Sequence, residues 1–211
     1  LFVFFSLFAL LGSDFGSELS GILKAIVITY ALCPLMCLVF IGILAARRRV
    51  SFRLLVQKLL PTFLIGLTTA SSSAAFATNL ETCEKMLAHF AVPLEQVLYM
   101  PSVAVAFVAT CLCMAENFGT AITPAWLLTM IVVTGLLSLA MPPIPGGALT
   151  CYTVMFTQLG IPGEALALAV AINSMIDFIA TASNLTCLQV EVTTVAGQLG
   201  MLDTECLRDP G

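Results

Sequence analysis

Long apolar runs alternate along this chain with short polar or Pro/Gly-rich breaks, and the runs fall into two lengths. A helix needs about 20 apolar residues to cross a bilayer core, so run length is the first readout. Residues 19–46, 96–115 and 164–191 are each long enough to span and predict transmembrane helices. Residues 1–12 are an apolar stump that opens directly on Leu1-Phe-Val-Phe-Phe with no basic leader. The sequence is therefore expected to enter in mid-helix, with earlier spans before it and no signal peptide.

Residues 54–80 and 125–159 break the simple pattern. The first is interrupted by Pro61 and Gly66 and then carries five hydroxyls in the six residues from Thr68 to Ser73. Hydroxyls can satisfy freed backbone groups and line a polar cavity, so this stretch predicts two half-helices meeting at a serine tip. The second consists of two apolar pieces, 125–141 and 148–159, split by Pro142-Pro-Ile-Pro-Gly-Gly147. Proline removes donors and glycine frees dihedrals, which predicts a second re-entrant hairpin entering from the opposite face. The fold class expected is an all-α membrane protein with two oppositely oriented re-entrant helical hairpins.

Charge orients this arrangement. Arg47, Arg48, Arg49, Arg53 and Lys58 follow the first full span, and basic residues beside a span favour the cytoplasmic side. On the resulting topology seven of the eight basic residues are cytoplasmic, Lys24 being the exception. Composition agrees with lipid as the solvent: 60% of the 211 residues are hydrophobic, 9% are charged, and the mean hydropathy is +1.07. Twenty charged residues cannot cover a water-soluble globule of this size. The net charge of -4 comes with no basic stripe and no phosphate loop, so nucleic acid is not expected as a partner. Six of the eight cysteines, Cys33, Cys37, Cys111, Cys113, Cys151 and Cys187, sit inside apolar runs, where Cys behaves as a small hydrophobe. No metal site is expected either, since the single His89 has no ligand neighbours.

The chemistry concentrates in the last span. Asp177 is the only acidic residue deep inside a run, and a carboxylate there costs roughly 3 kcal/mol unless it faces a cavity or a partner. Asn173, Asp177, Thr181 and Asn184 fall at i, i+4, i+8 and i+11, on one helical face. Interhelical hydrogen bonding could account for such a stripe on its own. The serines at 71–73 lack a Gly-x-Ser-x-Gly elbow and a nearby histidine, so no enzyme is expected. Amides and hydroxyls at a half-helix N-terminus instead suit a carboxylate ligand.

The order of elements, from serine-tipped hairpin through span and Pro-Gly-tipped hairpin to a span with Asp177-x-x-x-Thr181-x-x-Asn184, resembles the C-terminal half of the dicarboxylate/amino acid:cation symporter family, the glutamate-transporter type. The resemblance runs from about residue 1 to residue 203. It implies partial scaffold helices over residues 1–50 and an elevator-type transport domain over 51–211, with a polar tail at 192–211. It implies that Ser71, Ser72 and Ser73 hold a substrate carboxylate, and that Pro145, Gly146 and Gly147 form the gating tip. Asp177 corresponds to the ligand of a substrate amino group, Thr181 to a substrate contact, and Asn184 to a residue shared by substrate and ion. The full-length form is implied to be a homotrimer, multi-pass in the plasma or inner membrane, carrying an amino acid or small carboxylate.

The departures from the family pattern narrow the expectation. Where the family carries Asn-Met-Asp-Gly-Thr, this chain has Tyr99-Met-Pro-Ser-Val103, keeping only Met100. The expected acids of the last span are Leu188 and Asn173. Sodium wants several oxygen ligands with a negative charge close by, so the coupling cation is a proton or sodium, with sodium disfavoured; Asn173, Asn184 and Met100 remain as ion-site candidates, and no other cofactor is expected. The arginine that reads a second carboxylate falls at Ala180, which points to a neutral amino acid. The alternative reading is a degenerate paralogue that keeps the fold and binds or regulates without transporting.

Overall fold

The computed structural model describes residues 15–72, 77–78, 81, 100–141, 147–202 and 207–208. Among these residues every regular element is a helix: α1 (Phe15–Arg48), α2 (Phe52–Thr69), α3 (Pro101–Asn117), α4 (Pro124–Ala140), α5 (Gly147–Leu159) and α6 (Ala165–Gln198). Among the described residues only α1 and α6, at 34 residues each, are long and apolar enough to cross a bilayer unaided. The described part of the expected 96–115 span is the 17-residue α3, which starts at Pro101. Proline is well suited to a first helical position because its missing N–H is one that no helix could use there.

The residues group into two compact units, one drawn from Leu1–Ala31 and Val103–Asp177 and the other from Leu32–Ser102 and Phe178–Gly211. In the first unit α4 and α5 form an antiparallel pair: the Trp126 indole N–H at the start of α4 donates to the Leu159 carbonyl at the end of α5, at 2.8 Å. At about 1.5 Å per residue α5 is roughly 20 Å long, too short for a bilayer core. Its buried positions, among them Ala148, Cys151, Tyr152, Met155 and Phe156, repeat at three and four residues and so form one packed face. Tyr152 is fully buried, meets Phe107 of α3 edge to face at 5.0 Å, and donates to the Thr110 hydroxyl at 3.3 Å. The opposite face of α4 exposes Leu128, Ile131, Val132, Leu136 and Leu139, an apolar surface of the kind lipid covers. Lys24, early in α1, pairs with Glu116 at the end of α3 at 3.6 Å, both side chains being exposed.

In the second unit α6 is the axis. The Arg48 guanidinium at the end of α1 donates to the Thr194 and Gly197 carbonyls at 2.9 and 3.1 Å, capping α6 where its last carbonyls have no helical partner. This is one reason α6 runs seven residues past its expected end at 191. The others are that Thr193 and Thr194 bond back to the carbonyls of Gln189 and Val190 and that Val192 and Ala196 are buried. The helix thus continues through the first seven residues of the stretch 192–211.

α2 runs antiparallel to α6, with Thr62 opposite Gln189 and Gly66 opposite Ala182. Pro61 does not break α2, which continues to Thr69; the lost backbone bond is outweighed by a buried stripe of Leu55, Leu59, Thr62 and Gly66. Between α1 and α2 the chain turns at Arg49, whose φ of 53° is left-handed, and the Val50 N–H returns to the Ala45 carbonyl at 3.2 Å. This is the geometry of a helix C-terminus that usually takes glycine, and a side-chain-bearing residue there costs roughly 1 kcal/mol. Val50 then drops into a core with Ile41, Leu44, Leu55, Leu59, Val190 and Leu207.

Gly66 marks the tightest crossing, since a Cβ there would lie 2.7 Å from the Ala182 Cα. Backbone cannot yield as a side chain can, so Gly66→Ala is expected to destabilise the fold by about 1–3 kcal/mol. Thermal unfolding of the detergent-solubilised protein measures it. Gly42→Ala, with nothing within 4 Å of its Cβ, is the control and should melt no lower than the parent.

Candidate functional site

All four members of the polar stripe lie on the one continuous helix α6. Asn173 is half-buried and Asp177 exposed, both in the first unit; Thr181, 6% exposed, and the half-buried Asn184 belong to the second. A carboxylate thirteen residues into a 34-residue apolar helix has to meet water, a polar ligand or a polar group of the protein, because lipid offers it nothing.

Asn184 is held by a specific contact. Its side-chain oxygen accepts the Ser102 backbone N–H at 2.8 Å. Ser102 is the second residue of α3, and its N–H is one of those a helix start leaves without an internal partner. Asn184 therefore caps α3 from a neighbouring helix, as an N-cap side chain would from within. The Ser102 carbonyl in turn receives the Cys33 thiol of α1 at 3.9 Å. Met100, just before α3, is buried at 7%.

The serine tip is partly visible. α2 ends at Thr69; Ala70 takes a left-handed φ of 47° and its N–H bonds the Gly66 carbonyl at 3.0 Å. Ser71 and Ser72 follow, both half-buried, with the Thr69 hydroxyl accepting the Ser71 N–H at 3.4 Å. Since Gly66 abuts Ala182 and α2 is antiparallel to α6, the serines lie on the Thr181 side of that crossing. Ser73, Pro145 and Gly146 lie outside the described residues. Gly147 is the buried first residue of α5.

Two of the positions that depart from the family pattern are apolar and buried: Ala180 is 4% exposed and Leu188 1%. Neither offers an oxygen or a guanidinium.

Two further contacts were not read from sequence. Gln189 is fully buried and donates to the Thr62 hydroxyl at 2.8 Å, joining α6 to α2. A lone glutamine in an apolar helix is itself a sign of an interhelical bond, but Gln189 lies off the face of the Asp177 stripe. The Cys37 and Cys187 thiols lie 3.6 Å apart, with Cys37 also 3.5 Å from the Ser183 carbonyl. The six described cysteines are buried and free.

The model of the sodium:dicarboxylate symporter family matches residues 1–197. The chain belongs to that family. It is similar to the proton/sodium-glutamate symport protein of Bacillus subtilis (strain 168), with 24% identity over 191 residues, which are 86% of this chain and 44% of that protein. The chain thus spans less than half the length of that relative. The symporter family is one of membrane transporters rather than enzymes, which accords with the apolar composition and with the absence of a serine-hydrolase elbow around Ser71 and Ser72.

Replacing Asn184 by leucine leaves the Ser102 N–H without its acceptor and is expected to cost about 1–3 kcal/mol. Asn184→Asp keeps an acceptor oxygen there. Hydrogen exchange at the Ser102 amide should accelerate in the leucine variant and stay slow in the aspartate variant; equal protection in both rejects the capping role.

Proposed function

We propose that this chain is the substrate-carrying part of a secondary active symporter that moves an amino acid or related small carboxylate across the plasma or inner membrane. Its serine tip, Ser71 to Ser73, takes the substrate carboxylate through amides and hydroxyls. Pro145 and Gly146 belong to the tip that closes over the substrate. Asp177 meets the substrate ammonium group or the coupling proton, with Thr181 and Asn184 beside it on α6. The two helical hairpins are re-entrant, residues 51–211 move as an elevator, and the full-length form is a multi-pass homotrimer.

The observation that carries this reading is Asp177, an exposed carboxylate within an apolar helix of a symporter-family chain. Such a group is retained in a membrane helix where it binds or relays something charged. A neutral amino acid is the favoured substrate, because Ala180 leaves nothing to read a second carboxylate. This differs from the glutamate in the name of the Bacillus subtilis relative.

A proton is favoured over sodium as the driving ion. Leu188 supplies no oxygen, Pro101 and Ser102 replace the acid and glycine of the family motif, and the Asn184 oxygen is engaged with Ser102. Asn173, Asn184 and Met100 are the remaining ion-site candidates, and none brings a negative charge. The same losses favour the second reading, a paralogue that binds without transporting.

Uptake of radiolabelled amino acids by vesicles containing the full-length protein tests both readings. Saturable uptake is expected, and Asp177→Asn is expected to reduce it at least tenfold and to flatten its pH dependence. A variant that transports as the parent does at every pH removes Asp177 from the mechanism. Exchanging sodium for choline should leave the rate unchanged. Ligand binding without counterflow would select the non-transporting reading.

A further inference from the structure

The turn between α1 and α2 carries Arg47, Arg48, Arg49, Arg53 and Lys58 within twelve residues, and the sequence holds no Asp or Glu between Glu18 and Glu81. Arg48 is occupied with the end of α6. Arg47, Arg49 and Arg53 are exposed, and no carboxylate among the described residues pairs with them. The first turn of α2 contributes no acid either. Arg49 takes the left-handed conformation at the helix end that glycine would occupy more easily, so the turn's geometry does not call for an arginine there.

Exposed apolar surface continues along both helices from the turn that carries these guanidinium groups. On α1 it is formed by Leu38, Val39 and Ile43, and on α2 by Phe52, Leu60 and Leu64, each between 43% and 54% exposed. A cationic cluster that continues into an aliphatic face fits one class of molecule with both characters, a phospholipid with an anionic headgroup. Guanidinium binds phosphate oxygens in a paired, planar geometry, while acyl chains need only apolar surface to lie on.

We propose that the α1–α2 turn is a binding site for anionic phospholipid, with Arg47, Arg49 and Arg53 on the headgroup phosphate and the exposed faces of α1 and α2 against the acyl chains. The site rests on the reading of α1 as a bilayer-spanning helix. Juxtamembrane basic residues each favour anionic lipid by roughly a fivefold preference, so three of them act on the order of a hundredfold.

The full-length protein, purified in detergent with phosphatidylglycerol and phosphatidylcholine of identical acyl chains, is examined by native mass spectrometry for retained lipid. The parent should keep phosphatidylglycerol in preference. The triple variant Arg47→Gln, Arg49→Gly, Arg53→Gln should lose that preference at least tenfold while melting no lower than the parent, since glycine suits position 49. Excess inorganic phosphate should leave retention unchanged. Equal retention of both lipids by the parent, an undiminished preference in the variant, or displacement by free phosphate each overturns the proposal. Phosphatidylcholine carried by parent and variant alike upholds the membrane reading whatever the preference shows.

Discussion

A helix placed in hydrocarbon has no water with which to satisfy its polar groups, and α6 is a long apolar helix that nevertheless carries Asn, Asp, Thr and Gln at intervals along its length. Each must find a partner within the protein or face a cavity. Most described contacts of α6 follow this requirement, while the Ser183 hydroxyl and the Gln189 side-chain oxygen are buried without a hydrogen-bond partner among the described residues. Gln189 reaches Thr62, Asn184 takes the orphan amide of Ser102, Thr186, Thr193 and Thr194 turn back onto their own helix, and Arg48 closes the final carbonyls. Within the second unit the later part of α1, α2 and the residues Pro101 and Ser102 that open α3 are thereby each tied to α6 by a hydrogen bond or thiol contact.

That packing depends on small residues. Where α2 crosses α6, Gly66 and Ala182 bring the two backbones close enough for Gln189 and Thr62 to meet at 2.8 Å. In lipid, tail and side chain are equally apolar, so helices gain little from hydrophobic burial against each other. Close approach and buried hydrogen bonds take over that role. The exposed leucines and isoleucines of α1 and α4 are consistent with this division: large aliphatics outward, small and polar residues inward.

Much of this was legible beforehand because run length, proline, glycine and charge act locally. The bounds of α4 and α5 fall within one residue of those read from the Pro142–Gly147 break, and the basic cluster lies at the end of α1 where the apolar run stops. Distant partners were not legible. The end of α6 depends on Arg48, some 150 residues earlier, and the continuity of α2 through Pro61 depends on packing that no window of sequence contains. In the candidate site, the stripe on α6 was readable from helical spacing alone. That Asn184 is already engaged with Ser102 was not, because a helix start is recognised from its own residues and seldom from a cap supplied by another helix.

Arg48 also bears on the order in which the protein can be made. The chain emerges from its N-terminus, so α1 is complete well over a hundred residues before Thr194 and Gly197 exist. During that interval the guanidinium has no α6 carbonyls to bind and is satisfied by water instead. When α6 is complete, the Thr194 and Gly197 carbonyls take the place of that water. One side chain thus exchanges solvent for helix as synthesis proceeds.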